Sequence, residues 1–373
     1  MAGVYIHIPF CKKACHYCDF HFTTNLSRIE EMSESLVKEL ELRKDYLRIN
    51  EVDTIYFGGG TPSILSSNSL GKLLEKVFTI FPGEKHEITL EANPDDLNPS
   101  KLRDWRSIGI DRLSVGIQSF QDEILQAYNR SHTGEESRKA IEISRKAGFE
   151  KFSLDLIYGY PHKDHSLWEK DLDEAFQIDP GHLSAYGLTI EPKTTFGNWS
   201  RKGDFTPADE DFIAEQFEFL QDRAEKFGYV HYEISNFGKP GQFALHNANY
   251  WLGKPYLGIG PSAHSFDGTN RGFNPSSNPI YIKKIALGES PFVVEPLNTA
   301  DHINELILTG LRTIWGLDTE SLKQKFSTDL LGLKKHKILS LESQGLLNVS
   351  GNILSLTRKG KLLADGIAAE LFL

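Results

Sequence analysis

Residues 4–20 read VYIHIPFCKKACHYCDF. Val4, Ile6 and Ile8 alternate with Tyr5 and His7 and stop at Pro9, the pattern of a β-strand that ends in a loop. That loop carries Cys11, Cys15 and Cys18, which are all the cysteines of a 373-residue chain. An odd number of thiols gathered so tightly is no disulfide framework, and metal or redox chemistry becomes their leading use. No stretch approaches the roughly 20 apolar residues of a membrane span. The start MAGVYIHIPF lacks the basic flank and long apolar run of a signal peptide. The sequence therefore predicts a cytoplasmic protein.

Outward from this stretch the strand–helix alternation repeats. Ile29, Met32, Leu36 and Leu40 follow at helical spacing behind a capping-box pattern, Ser27-x-x-Glu30. Strands are predicted at 53–57, 87–91, 112–117, 152–157 and 182–188. Helices lie between them, one carrying Leu70, Leu73, Leu74 and Val77 and another opening at Thr133-x-x-Glu136 and closing at Gly148, and a long one begins after the last strand, at Thr206-Pro207. Six such units in series imply parallel strands joined by right-handed crossovers, an α/β fold whose count favours an incomplete (β/α)6 barrel. The length of the chain predicts a large first domain, 1–272, and a small second one, 299–373, with the Pro-, Asn- and Ser-rich segment 273–298 crossing between them. The second domain, with helical patterns and the hairpin LLNVSGNILSLT, resembles a winged helix of α+β type. Lys334, Lys335 and Lys337 make it locally basic, yet the net charge of −10 argues against a nucleic-acid partner.

Active sites of parallel barrels lie at the carboxyl ends of the strands, where the loops converge. Those ends carry the cysteines, Gly58-Gly59-Gly60-Thr61, Glu91, Gln118 and Asp155. Thiolates at i, i+4 and i+7 can wrap an iron–sulfur cube and leave one iron open. Zinc is the other metal such a triplet takes, with His16 or His21 as fourth ligand. A redox dithiol of Cys15 and Cys18 leaves the third thiol without a role. The glycine triplet has neither the dinucleotide spacing nor the lysine of a phosphate loop, and serves either a tight turn or a close approach of backbone to ligand.

YIHIPFCKKACHYCDF, FGGGTPS, LEANPDDL, RLSVGIQSF and LDLIYGYP together resemble the radical S-adenosylmethionine superfamily, whose hallmark is C-x-x-x-C-x-x-C after the first strand of a partial barrel. Within it the chain is similar to the branch of oxygen-independent coproporphyrinogen III oxidases and HemW-type haem chaperones. The resemblance implies a [4Fe-4S] cluster on Cys11, Cys15 and Cys18, with S-adenosylmethionine chelating the fourth iron. It further implies cofactor contacts from Tyr5, Tyr17, Gly59, Gly60, Thr61, Glu91, Gln118, Arg130 and Asp155, some of them to a second cofactor molecule. The chemistry so implied is one-electron cleavage of the sulfonium to a 5′-deoxyadenosyl radical, which needs an electron donor and shelter from water.

Two departures separate the chain from the oxidases: Phe20 stands where they carry a further cysteine, and only four residues precede Tyr5. Residues 246–251, HNANYW, match a motif associated with haem in the chaperones, which implies haem contacts from His246, Tyr250 and Trp251, with His264 in GIGPSAHSF as another imidazole. The expectation is a haem chaperone that hands its cargo to an acceptor protein. The alternative is a radical enzyme acting on a tetrapyrrole, and whether the chain is an enzyme stays open. The acceptor, a homodimer and peripheral membrane contact at the acceptor are not fixed by the sequence.

Overall fold

Six strands lie side by side in chain order, all parallel: β1 (Gly3–Ile8), β2 (Thr54–Gly59), β3 (Glu87–Ala92), β4 (Arg112–Gln118), β5 (Lys151–Tyr158) and β6 (His182–Gly187). This is a computed structural model, and it describes residues 2–49 and 51–373. Helices follow each of the first five strands, as the sequence periodicity predicts. Their apolar stripes, such as Leu36 and Leu40 in Ile29–Leu42 and Leu70, Leu73 and Val77 in Ser67–Ile80, are buried in the same core as Val4, Ile6, Ile55, Phe57 and Leu90. Burying both faces of the parallel strands removes apolar area from water and selects this layered architecture.

The sheet does not close. Beyond β6 it continues through antiparallel β8 (Asn236–Gly238) and β7 (Val230–Glu233). On the other side β1 pairs in parallel with β9 (Tyr256–Ile259), followed by antiparallel β10 (His264–Phe266), β11 (Arg271–Phe273) and β12 (Val293–Glu295). The result is an open mixed sheet of twelve strands, with the incomplete parallel barrel at its centre. The segment 273–298 extends this sheet: it carries β12 and a helix, Asn278–Ala286, packed on Ile29–Leu42.

Residues 299–373 form their own apolar core around Ile303, Ile307, Leu341, Leu354 and Ile367. A small sheet, in the order β13 (Leu317–Asp318), β15 (Ile353–Leu356), β14 (Leu347–Ser350), provides the wing. The hairpin turns through Gly351-Asn352, with Gly351 at φ +59°. This unit docks on β7: Arg312 reaches the buried carboxylate of Glu233 at 3.1 Å, the Ile314 amide donates to Tyr232 O at 3.0 Å, and Lys361 Nζ donates to His231 O at 2.8 Å. Burial lowers the Lys361 ammonium to about 8 against a raising influence of Glu233. Of the three lysines, Lys334 donates to Phe372 O and Lys337 pairs with Glu370, so both are engaged with the end of their own domain. Among the described residues no helix is long and apolar enough to cross a membrane.

Two helix starts differ from the sequence expectation. The Ser27 box does not form: the Ser27 amide is taken by Asn25 Oδ1 at 3.0 Å, Arg28 is the N-cap residue, and it pairs with Glu31 instead. The helix expected from Thr206-Pro207 begins at Glu210, because Asp209 accepts from the Phe212 amide at 2.7 Å and sets the cap there. The Thr133 box forms in full.

Candidate functional site

The carboxyl ends of the parallel strands open into a cavity of about 510 Å3, within the usual size of a small-molecule site. Cys11, Cys15, Tyr17, Cys18, Gly59, Gly60, Thr61, Glu91, Gln118, Arg130 and Asp155 all line it, although they come from four different strands, the cysteine loop, the Gly60-Thr61 turn and the turn that carries Arg130. A larger groove of about 900 Å3 between the helices Gly134–Lys146 and Ser166–Ile178 is a charged surface furrow holding none of these residues.

The cysteine loop is tied down at both ends. Cys11 N donates to Thr23 O and Thr23 N to Pro9 O, each at 3.0 Å, closing the loop on itself. His16 N donates to Tyr128 O at 3.1 Å, and Asn129 Nδ2 to Ala14 O at 2.9 Å, fixing it to the turn after the helix Asp122–Ala127. The three thiols are half-buried and free. Burial pushes Cys11 up to about 11 and Cys18 up to about 12, so a thiolate here needs a neighbouring cation or metal to hold its charge. Both histidines weighed as zinc ligands face other partners: His16 Nδ1 bonds Ala127 O at 2.8 Å with its ring against Trp199, and His21 Nε2 bonds Asn278 Oδ1 at 2.8 Å. Among the described residues no three His, Cys, Asp or Glu side chains converge as a mononuclear ion requires. The ligands of a cube stand further apart, each on its own iron.

Arg130 supplies the cation. Its Nη1 lies 3.4 Å from Cys15 Sγ and from Tyr17 Oη, and its Nη2 donates to Asn93 Oδ1 and Gly116 O at 2.7 Å. Across the cavity, Glu91 accepts from Tyr56 Oη at 2.7 Å and from the Gly59 amide at 3.2 Å, while Asp155 accepts from Ser114 Oγ at 3.0 Å. Burial raises both carboxyls to about 7, and Asp155 adds to the rise at Glu91.

Glycine at 59 and 60 is a packing requirement: Gly59 has φ +105° and a Cβ would lie 2.4 Å from the His7 ring, while a Cβ on Gly60 would meet Phe10 O at 2.6 Å. β4 shifts register between Gly116 and Gln118, and Gln118 sits at φ +67°, an unusual backbone for a non-glycine residue at the rim.

Tyr5 is not brought to the cavity wall. Its hydroxyl bonds His7 Nδ1 at 3.1 Å and its ring stacks on Tyr56, its register neighbour, which lines the cavity instead. Sequence reasoning missed Tyr56, Asn93, Ser114, Ser184, Tyr186 and Asn247. The signal available was parity: Tyr56, Ser114 and Ser184 each stand third in their strand.

The structure also separates His246 from the cavity. The helix Leu245–Trp251 lies at the amino ends of the strands, where Glu87 accepts from the amides of Leu245 and His246 at 3.1 and 3.0 Å. His246 is buried; its Nδ1 bonds Thr54 Oγ1 at 2.8 Å, its Nε2 bonds Tyr250 Oη at 2.9 Å, and its ring stacks on Tyr56. Burial drops the imidazole to about 3, so it is held neutral. Trp251 lies under the Arg312 guanidinium at 4.8 Å. Coordination through either ring nitrogen of His246 would cost the hydrogen bond that nitrogen makes. His264, by contrast, is exposed, and neither ring nitrogen has a hydrogen-bond partner among the described residues. It lies in ladder register with Phe273, itself opposite Val293, and both are exposed.

Two family signatures match this chain: the Radical SAM superfamily over residues 5–175 and the HemN C-terminal domain over residues 297–363. The haem chaperone HemW of Bacillus subtilis (strain 168) is 34% identical over 98% of this chain and 98% of its own. That of Escherichia coli (strain K12) is 38% identical over 70% of this chain and 69% of its own. Among solved structures, coproporphyrinogen III oxidase (HemN) from Escherichia coli, a radical SAM enzyme, superposes with a TM-score of 0.85 over 100% of this chain and 90% of that one, at 23% identity, which establishes the shared fold.

Proposed function

The chain belongs to the radical SAM superfamily and, within it, to the HemW haem chaperone family, and on that premise we propose that it binds haem and passes it to an acceptor protein while carrying a [4Fe-4S] cluster and S-adenosylmethionine. The observation that carries this reading is the gathering of Cys11, Cys15 and Cys18 with Glu91, Arg130 and Asp155 around one cavity, in a chain that aligns end to end with haem chaperones. When bound, the cluster and the sulfonium cofactor supply one-electron chemistry. The chain's own residues do the rest. The three thiols hold the cluster irons, and Arg130 sets a positive charge beside Cys15. Gly59, Gly60 and Thr61 let backbone approach a ligand, and Glu91 offers acceptor oxygens suited to ribose hydroxyls.

Haem is assigned to the outer surface of β10–β12. An imidazole without a hydrogen-bond partner among the described residues, its ring 5.8 Å from the exposed Phe273 ring and in line with an exposed valine, offers an axial ligand beside apolar area. A chaperone must release its cargo, and an open face suits release better than a closed pocket. The buried His246 acts in the fold.

The test is anoxic reconstitution followed by iron and sulfide analysis, electron paramagnetic resonance with and without S-adenosylmethionine, and haem titration. The reading expects about four irons and four sulfides per chain, a spectral change on adding the cofactor, and a shifted Soret band that His264→Ala removes. Stoichiometric zinc without sulfide would end the cofactor reading, and an unchanged Soret band in the wild type would end the haem reading.

A further inference from the structure

The HNANYW helix gives the cavity one residue, and it is not the histidine. Asn247 lines the cavity, and its carboxamide has no hydrogen-bond partner among the described residues. It enters from the end opposite the cysteines. The helix Leu245–Trp251 is capped by Glu87, the first residue of β3, and His246 bonds Thr54, the first residue of β2, whereas the thiols follow the last residue of β1. Successive helix residues point about 100° apart. Fixing His246 by two side-chain bonds and a stacked ring therefore fixes where Asn247 points.

The cations of the cavity cluster at one end, whereas its carboxylates are spread, with Asp19 in the cysteine loop and Glu191 beyond β6. Those cations, Lys13 and Arg130, belong to the thiol side: Lys13 stands in the cysteine loop and Arg130 contacts Cys15. The strand wall carries two buried carboxyls, Glu91 and Asp155, with the hydroxyls of Tyr56, Ser114 and Ser184. Apart from Arg130, whose Nη2 is spent on Asn93 Oδ1 and Gly116 O, this wall offers carboxyls and hydroxyls, which disfavours an anionic group, including a haem propionate. It suits a neutral ligand portion rich in hydroxyl and amino groups. An amide presents a donor and an acceptor together, the pair that matches the edge of an adenine.

Building on the cofactor assignment above, we infer that Asn247 is a cofactor-binding residue whose carboxamide contacts the nucleoside portion of S-adenosylmethionine. The amino-acid portion of that cofactor then lies toward Arg130 and the thiols. HNANYW thereby divides its work: His246 orients the helix, and Asn247 reads the ligand.

The experiment compares anoxically reconstituted wild type, Asn247→Ala and Asn247→Asp, titrating S-adenosylmethionine against the cluster's paramagnetic resonance signal. Haem is titrated separately by its Soret band. Asn247→Ala is expected to weaken apparent cofactor affinity about tenfold, the scale of one hydrogen bond, with iron and sulfide content, melting temperature and haem titration unchanged. Asn247→Asp, which adds a further carboxylate and loses the donor, is expected to weaken it at least as far. A wild type that responds to the cofactor and an Asn247→Ala that responds with equal affinity would overturn the inference while leaving the cofactor reading intact. A wild type that carries the cluster and shows no response removes both. A loss of haem binding in Asn247→Ala with cofactor affinity preserved would return the motif to haem.

Discussion

CKKACHYCDF and HNANYW are both short runs that carry metal-binding side chains, three thiols in one and a single imidazole in the other, and the fold treats them in opposite ways. In the first, backbone bonds to Thr23, Tyr128 and Pro9 and the Asn129 side chain hold the loop, so the sulfurs stay out of disulfides and half-buried around a cavity, with Arg130 Nη1 3.4 Å from Cys15 Sγ. In the second, the side chains themselves make the bonds, and His246 has no nitrogen left over. Residue type states what chemistry a group can do. Hydrogen-bond accounting states whether it is available.

The largest expected effect lies at the cysteine end. Replacing any one of Cys11, Cys15 or Cys18 by Ala is expected to abolish cluster incorporation, read as iron and sulfide content after reconstitution, while the melting temperature of the metal-free protein changes little. Each thiol is half-buried and carries no fold-defining bond through its sulfur, so the loop holds without it. A variant that retains a full complement of iron would break the comparison at its first member.

The HNANYW end is expected to behave the other way. His246→Ala removes a buried ring stacked on Tyr56 and strips Thr54 Oγ1 and Tyr250 Oη of their bonds. The cost is about 3 kcal/mol of stability, from the cavity and the unpaired polar atoms. Denaturant unfolding measures it. Haem titration of the folded variant is expected to match the wild type, and a lost Soret shift without loss of stability would reverse the roles of His246 and His264.

A third, smaller effect concerns the docking of the C-terminal domain. Arg312→Leu leaves the Glu233 carboxylate, fully buried, with the Ser235 amide and Asn236 as its remaining donors. Loss of about 2 kcal/mol is expected, visible as earlier unfolding or faster proteolysis of residues 299–373. Unchanged proteolysis would show that the apolar contacts alone hold the two units together.

The six parallel strands were legible because each is a buried run of six to eight residues flanked by helices with clear apolar stripes. β7–β12 were not, since strands of three or four residues with mixed exposure, such as Arg271–Phe273, carry no period to count. Identical capping patterns gave different outcomes at Ser27 and Thr133, because the Asn25 side chain had already claimed the Ser27 amide. The cysteines were readable from type and spacing. Tyr56 was marked only by its parity in β2, and Asn247 not at all, because an asparagine on a short helix has no mark of its own until helix orientation decides what it faces.

The smallest effect tests the electrostatics of the cavity wall. Burial raises the Glu91 carboxyl to about 7 from an ordinary 4.5, with Asp155 contributing to the rise. The folded protein therefore holds that proton more tightly than the unfolded chain does. The stability this gives is complete below pH 4.5 and is lost as pH rises through 7, so the metal-free protein should weaken between pH 5 and pH 8. Glu91→Gln keeps an acceptor for the Gly59 amide and cannot ionise. It also relieves Asp155 of a like charge across the cavity. The variant should lose on the order of 1 kcal/mol of this pH dependence, measured as the difference in unfolding free energy between the two pH values. An equal slope in both proteins would place the titration elsewhere, with Asp155, raised to about 7 by burial, the next group to replace and Asp171, raised to about 6, after it.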